Sequence, residues 1–136
     1  MTMIKHISKK TVLTFHQQLI ASYGGLEGMR DEGLLESALA QADVTMFGEH
    51  LHQDIFEMAA AYGYHLCQNP PFIDGNKRVA LVVMDTFLRV NGWEITADDK
   101  AVYSMMLNLA DSRINKGQLA EWLRGNCESR GIRNEQ

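Results

Sequence analysis

Both prolines of this chain fall together, in the stretch Asn69-Pro70-Pro71-Phe72-Ile73-Asp74-Gly75-Asn76-Lys77-Arg78, between its two most apolar helical segments. Proline disfavours the α region for the residue before it, so a helix running into this stretch must close at Asn69. Asp74-Gly75-Asn76 follow, residue types that reach unusual backbone angles and leave amide groups free. Lys77 and Arg78 then open the next helical run. Free N–H groups leading into a helix N-terminus make an anion site. The two cations strengthen it, although the helix dipole disfavours positive charge at that end. Charges set against the dipole point to a negative ligand. A plain helix–turn–helix connection accounts for Pro70, Pro71 and Gly75, but not for Asp74, Asn76, Lys77 and Arg78 together. The chain contains no GxxxxGK[ST], so this is not a P-loop.

Periodicity on either side predicts helices. Ser8 can cap a first helix whose apolar positions are Val12, Phe15, Leu19 and Tyr23. Gly24-Gly25 stops it. Asp31 can cap a second, packing Leu34, Leu35, Ala38, Leu39 and Ala42. From Asp43 to Gln53 the pattern is lost. Asp54 with Glu57 resembles a capping box and starts a third helix, Ile55 to Cys67, apolar nearly all round and so buried by several neighbours. Lys77 to Val90 is similar, with Asp85 and Arg89 as a favourable i,i+4 pair. Asn91-Gly92 ends it, and Trp93-Glu94-Ile95 is extended. Thr96 with Asp99 resembles another capping box, ahead of Val102, Met105, Met106 and Leu109. A last helix begins near Asn115 and packs Leu119, Trp122 and Leu123. The expected architecture is all-α. One domain spans 1–125, and the polar residues 126–136 form a tail expected to fray.

A length of 136 residues suits one domain with a real core. The formal net charge of −4 argues against direct nucleic-acid binding, which wants a basic surface. Cys67 and Cys127 are far apart and form no CxxC, as in a reduced cytoplasmic protein. Met1 to Lys10 lacks an apolar run of signal-peptide length. The longest apolar run, Val79 to Met84, is far too short for a bilayer.

Pro71 to Arg78 resembles the signature loop of the Fic/Doc family, H-P-F-x-[D/E]-G-N-[G/K]-R. Lys77 is similar to the Doc (death-on-curing) branch, since the AMP-transferring Fic branch usually has glycine there and a second arginine where this chain has Leu81. The likeness extends from Tyr23-Gly24-Gly25 through the helix Asp54 to Asn69 and on to the segment around Trp122. It implies a single-domain Fic-fold helical bundle whose two central helices are joined by the signature loop. It further implies ATP and Mg²⁺ as cofactors. Asp74 would hold the metal, the amides of Gly75 and Asn76 would grip phosphate, and Lys77 and Arg78 would neutralise it. Phe72 is better read as an apolar plug.

One departure outweighs the matches. The family's histidine, the base for the target hydroxyl, would fall at position 70, where this chain has Pro70. His65, five residues earlier on a helix, turns well away and is read as a core or groove-lining residue. His50 and His52 are read as solvated residues of the flap beside the substrate groove, not as zinc ligands. Thr45 and Glu49 resemble the Fic self-inhibition motif, but His50 breaks it. A separate antitoxin is therefore the expected silencer.

Three functions stay open. The first is a Doc-like toxin that moves a phosphoryl group from ATP to a protein hydroxyl, with a translation elongation factor as the family's expected target. The second is a Fic-type nucleotidyl transferase. The third is a catalytically dead module that keeps nucleotide or antitoxin binding.

Overall fold

In the computed structural model, which describes residues 3–43, 45–46, 49–50 and 54–130, the Ile55–Gln68 run is a helix enclosed by other helices. In chain order the elements are α1 (Lys9–Tyr23), α2 (Glu32–Ala42), β1 (Thr45–Met46), β2 (Glu49–His50), α3 (Ile55–Gln68), α4 (Asn76–Val90), β3 (Trp93–Ile95), α5 (Asp99–Ala110), α6 (Lys116–Gly125) and β4 (Cys127–Ser129). The fold is the expected helical one, to which the described residues add two short two-stranded ribbons. Among the described residues, no helix is long and apolar enough to cross a membrane.

α3 packs against α2, α4, α5 and α6. Its alanine run Ala59-Ala60-Ala61 is fully buried, which lets neighbouring backbones come close. Gly63 takes this furthest: a Cβ there would stand 2.2 Å from the sulfur of Met84 on α4. α4 answers with Val79, Ala80, Val83, Met84, Phe87 and Leu88, all buried. The segment before α1 is tied to this core, because Ile7 N–H donates to the Tyr62 hydroxyl at 3.0 Å. Lys5 pairs with the Asn91 side chain in both directions at 2.9 Å.

Five of the described helices begin on a side-chain cap. Ser8, Asp31, Asp54, Asp98 and Asn115 each accept an N–H from the first turn. The cap of α5 is therefore Asp98, not Thr96. Thr96 instead extends the β3–β4 ribbon, donating its N–H to the Asn126 carbonyl at 2.8 Å, and this delays the helix. α3 closes at Asn69 (φ −127°, ψ 70°), outside the α region as the following proline requires.

Two further expectations change. Cys127–Ser129, read from the sequence as the start of a frayed tail, pairs antiparallel with Trp93–Ile95 in the register Ile95↔Cys127. Backbone bonds hold it, and three residues are too few to show a pattern. Residues 131–136 lie outside the described residues. The patternless stretch after Asp43 contains the small ribbon Thr45↔His50, Met46↔Glu49. Gly48 and His52 lie outside the described residues.

Candidate functional site

The signature loop is zipped to the α1–α2 connection. Arg30 and Asp31 donate their N–H groups to the Pro71 carbonyl at 2.7 and 2.9 Å. Ile73 N–H donates to Gly28 O at 3.1 Å, and Met29 faces Phe72 as an antiparallel bridge. The Arg30 guanidinium donates to the Pro70 carbonyl, through Nε at 3.1 Å and also through Nη2. Proline has no N–H, so Pro70 and Pro71 can only accept, and Arg30 and Asp31 supply the donors.

Inside the loop, Asn76 acts as a clamp. Its side chain accepts the Phe72 N–H and donates to the Phe72 carbonyl, both at 3.0 Å. Phe72 is the plug expected of it, 2% exposed. Gly75 sits in the left-handed region (φ 80°, ψ 14°) as the residue before α4 and makes no side-chain cap. The first-turn N–H groups of α4 thus lack the partner that the other five helices have. The dipole end is open, and Lys77 and Arg78 are exposed beside it.

Asp74 uses both carboxylate oxygens. Oδ2 accepts Leu26 N–H at 3.0 Å, and Oδ1 accepts Gly75 N–H at 2.9 Å. These two amides, followed by the nearby Arg78 charge, hold its carboxyl below the ordinary value of 3.8. The carboxylate is ionised at neutral pH and ties the Gly24–Gly28 turn to the loop.

Asp74, Gly75, Asn76, Lys77 and Arg78 all line one open cleft of about 440 Å³, with Tyr23, Gly24, Gly25 and Ile73 as its other walls. Pro70 does not line it, and its carbonyl is turned to Arg30. Lys77 and Arg78 also begin a second cleft of about 490 Å³, which runs between α4 and α5 over Leu81, Val102, Tyr103, Met106 and Leu107. His65 belongs to neither cleft. It is half-buried against α6, with Nε2 3.3 Å from Lys116 Nζ.

Three participants were not legible beforehand. Leu26 and Arg30 act through their backbone or on a carbonyl, which leaves no pattern in a sequence. His16 did leave a signal. α1 buries Val12, His16 and Ile20, spaced by four, so a histidine stands in the apolar stripe. Its Nε2 donates to the Asp74 carbonyl at 2.8 Å, and its ring lies flat on Phe72 at 3.8 Å and 7°. Tyr23, assigned from the spacing to the packed face, is 69% exposed and lies instead under the Arg78 guanidinium, 5.1 Å from it.

A helical domain with an open cleft at an uncapped helix start, walled by Asp74 to Arg78, defines the class. The profile described as the Fic/DOC family matches residues 6–88, which include every residue lining that cleft. The chain belongs to the Fic/Doc family and is Doc-like within it. It is similar to the Toxin Doc of Mycolicibacterium smegmatis, 34% identical over 96 residues, or 71% of this chain and 72% of that protein. It is also similar to the Protein kinase doc of Escherichia phage P1, 31% identical over 121 residues, or 89% of this chain and 94% of that protein.

Proposed function

We propose that this chain is a Doc-like toxin built to move the γ-phosphoryl group of ATP to a hydroxyl of a protein, and impaired by Pro70. The observation that carries this reading is the gathering of Asp74 to Arg78 along one cleft at the uncapped start of α4. The relatives named as a toxin and as a protein kinase support it.

The residues fit Mg²⁺ with phosphate. An ionised carboxylate offers about four lone-pair directions, and Asp74 spends two on Leu26 and Gly75. The rest suit a hard cation that takes one or two carboxylates and completes its shell with phosphate oxygens. Among the described residues, no three His, Cys, Asp or Glu side chains meet, so an all-protein metal cage is not on offer there. Bound Mg²⁺ would supply neutralisation of the charge on the transferring group. Lys77, Arg78 and the first-turn N–H groups of α4 orient the phosphates. The second cleft starts at the same two cations, so Tyr103 and Leu107 give the base of a nucleotide an apolar wall.

In the transfer, the target oxygen bonds to the γ-phosphorus as the bond to ADP breaks, and the hydroxyl proton needs an acceptor. Pro70 has an amide nitrogen and cannot take it. General-base help is typically worth ~10²–10⁴ in rate. Positioning and electrostatics carry most of phosphoryl transfer, and in this reading Asp74 to Arg78 supply them.

A cytoplasmic elongation factor of translation is the proposed target, on family resemblance. The proposed partner is a small antitoxin whose partly disordered segment folds onto the groove. Direct nucleic-acid binding is not part of this reading, given the net charge of −4. Nucleotidyl transfer is the weaker alternative, because Leu81 stands where the Fic branch has its second arginine. Pro70 itself favours one other reading, a dead module that binds nucleotide or antitoxin without turnover.

The test is transfer from radiolabelled ATP to proteins of a bacterial extract, run on this chain and on Pro70→His. Label arriving from the γ position alone supports phosphoryl transfer, and label from the α position selects nucleotidyl transfer. Calorimetry with Mg-ATP should lose its signal in Arg78→Ala at unchanged helicity. Equal binding by Arg78→Ala and the parent would overturn the cleft assignment.

A further inference from the structure

We propose that His16 is the positioning residue of the anion cleft, holding the Asp74–Gly75 peptide in the one orientation that keeps the loop ready for a ligand. This rests on reading that cleft as the phosphate site. Apart from Tyr62, His16 is the only buried polar side chain among the described residues, at 6% exposure. An apolar side chain would fill that place in the α1 stripe at lower desolvation cost. What the imidazole adds is a donor. Asp74 O can only accept, so Nε2 carries the hydrogen of the 2.8 Å bond.

The consequence follows from peptide planarity. The Asp74 carbonyl and the Gly75 N–H belong to one rigid unit and point in opposite directions. Anchoring the carbonyl inward on His16 turns the Gly75 N–H outward, where it meets Asp74 Oδ1 at 2.9 Å. Gly75 alone would not fix this choice, since glycine visits both signs of φ at little cost. A flip of this peptide would withdraw that N–H, leave the Asp74 carboxylate with only the Leu26 amide, and disturb the φ 80° that launches α4. His16 opposes the flip through its bond to Asp74 O, and the stack on Phe72 holds the ring in the orientation that makes this bond.

Two variants separate donor from filler. His16→Phe keeps a flat ring against Phe72 and removes the donor, whereas His16→Gln keeps an N–H near the Nε2 position and removes the ring. Amide exchange should speed up by about tenfold at Gly75 and the first turn of α4 in His16→Phe, the size of one ordinary hydrogen bond, and much less in His16→Gln. Amides in α3 report global stability and should not follow that difference. Mg-ATP affinity should fall by about the same factor in His16→Phe and recover in His16→Gln. Equal loop exchange in the two variants, or loss that tracks melting temperature alone, would overturn the proposal. Nitrogen NMR of the unmutated chain gives a reading that needs no variant: an unprotonated Nε2 on His16 overturns it outright. A parent that binds no Mg-ATP, yet shows the loop-exchange contrast, sinks the phosphate-site reading and leaves the hold of His16 standing. A parent that binds, with His16→Phe binding equally well, sinks only the His16 proposal.

Discussion

Gly25 and Asp74 meet with no room for a side chain between them: a Cβ on Gly25 would stand 2.7 Å from Asp74 Oδ2. The same oxygen accepts the N–H of Leu26, the next residue, at 3.0 Å. The turn that ends α1 is thus fitted to the Asp74 carboxylate in the cleft wall. Gly25 is required twice, since its φ of 119° is also one that side chains avoid.

Gly25→Ala should therefore lower stability and displace Asp74. Strain at such a backbone position costs about 1–3 kcal/mol, or a melting shift of roughly 3–10 °C. Gly24→Ala is the control. Gly24 also has positive φ, at 85°, but a Cβ there meets nothing within 4 Å. Both variants should melt earlier in calorimetry, and Gly25→Ala, whose Cβ meets the carboxylate directly, should lose more Mg-ATP affinity than Gly24→Ala.

Gly63→Ala tests the contact between the two central helices. Alanine is the better helix former by about 1 kcal/mol, so an exposed site would gain stability. Here the added carbon would stand 2.2 Å from Met84 sulfur and 2.8 Å from Met84 Cγ, in a side chain with no exposure of its own. Overpacking of this kind costs about 1–3 kcal/mol, so net destabilisation is expected in urea unfolding. A higher midpoint would show that Met84 repacks freely.

The helices were legible because their apolar stripes and caps are local: Ser8, Asp31 and Asp54 cap where the sequence places them, and the last helix starts at Asn115 as expected. The pair Asp85–Arg89 also forms as the spacing demands, at 3.0 Å. Among the site residues, Asp74 to Arg78 could be gathered from the sequence because they are contiguous. What stayed hidden was made of backbone or of distance. The β3–β4 ribbon joins residues far apart through main-chain bonds, and Arg30 reaches a carbonyl 40 residues away. The Asn76 side chain is committed to Phe72, an i,i+4 clamp that the sequence did not announce, and this leaves its backbone N–H as the group that the family resemblance assigns to phosphate.

Burial pushes the thiols of Cys67 and Cys127 up to about 11. At pH 8, native protein should react slowly with a thiol reagent at both positions, and fast labelling should appear only on unfolding. The unfolded chain releases these protons near the ordinary value of 9.0, so the folded state binds more protons between there and 11. Stability is then fully present below pH 9 and falls as pH rises to about 11. Urea midpoints across that range, compared with a Cys67→Ala, Cys127→Ala double mutant, check the sign.

Acid should act on the cleft through Asp74. Its carboxyl lies below 3.8 because of the Leu26 and Gly75 amides first, with the Arg78 charge a smaller cause. The loop tie is present above the unfolded value and is lost as pH falls through the folded one. Carbon NMR titration should find Asp74 still below 3.8 in Arg78→Ala, since both amides remain. A return to the ordinary value in that variant would transfer the dominant role to the arginine.

Pro70→His decides between an impaired transferase and a binding module. Position 70 follows the end of α3, and its carbonyl is already gripped by Arg30. A histidine can keep that backbone bond and adds an imidazole able to take the hydroxyl proton. Transfer to a protein hydroxyl should rise by ~10²–10⁴, and expression in bacteria should arrest growth. The gain should need Mg²⁺ and vanish in a Pro70→His, Asp74→Ala double mutant. Pro70→Ala frees the backbone without adding a base, so it should stay near the parent. Equal recovery by alanine and histidine would mean that proline harms the loop sterically, and that the vacant base is not the fault. Should neither variant recover transfer while helicity and ATP binding persist, the chain is a binding module and the transferase assignment falls.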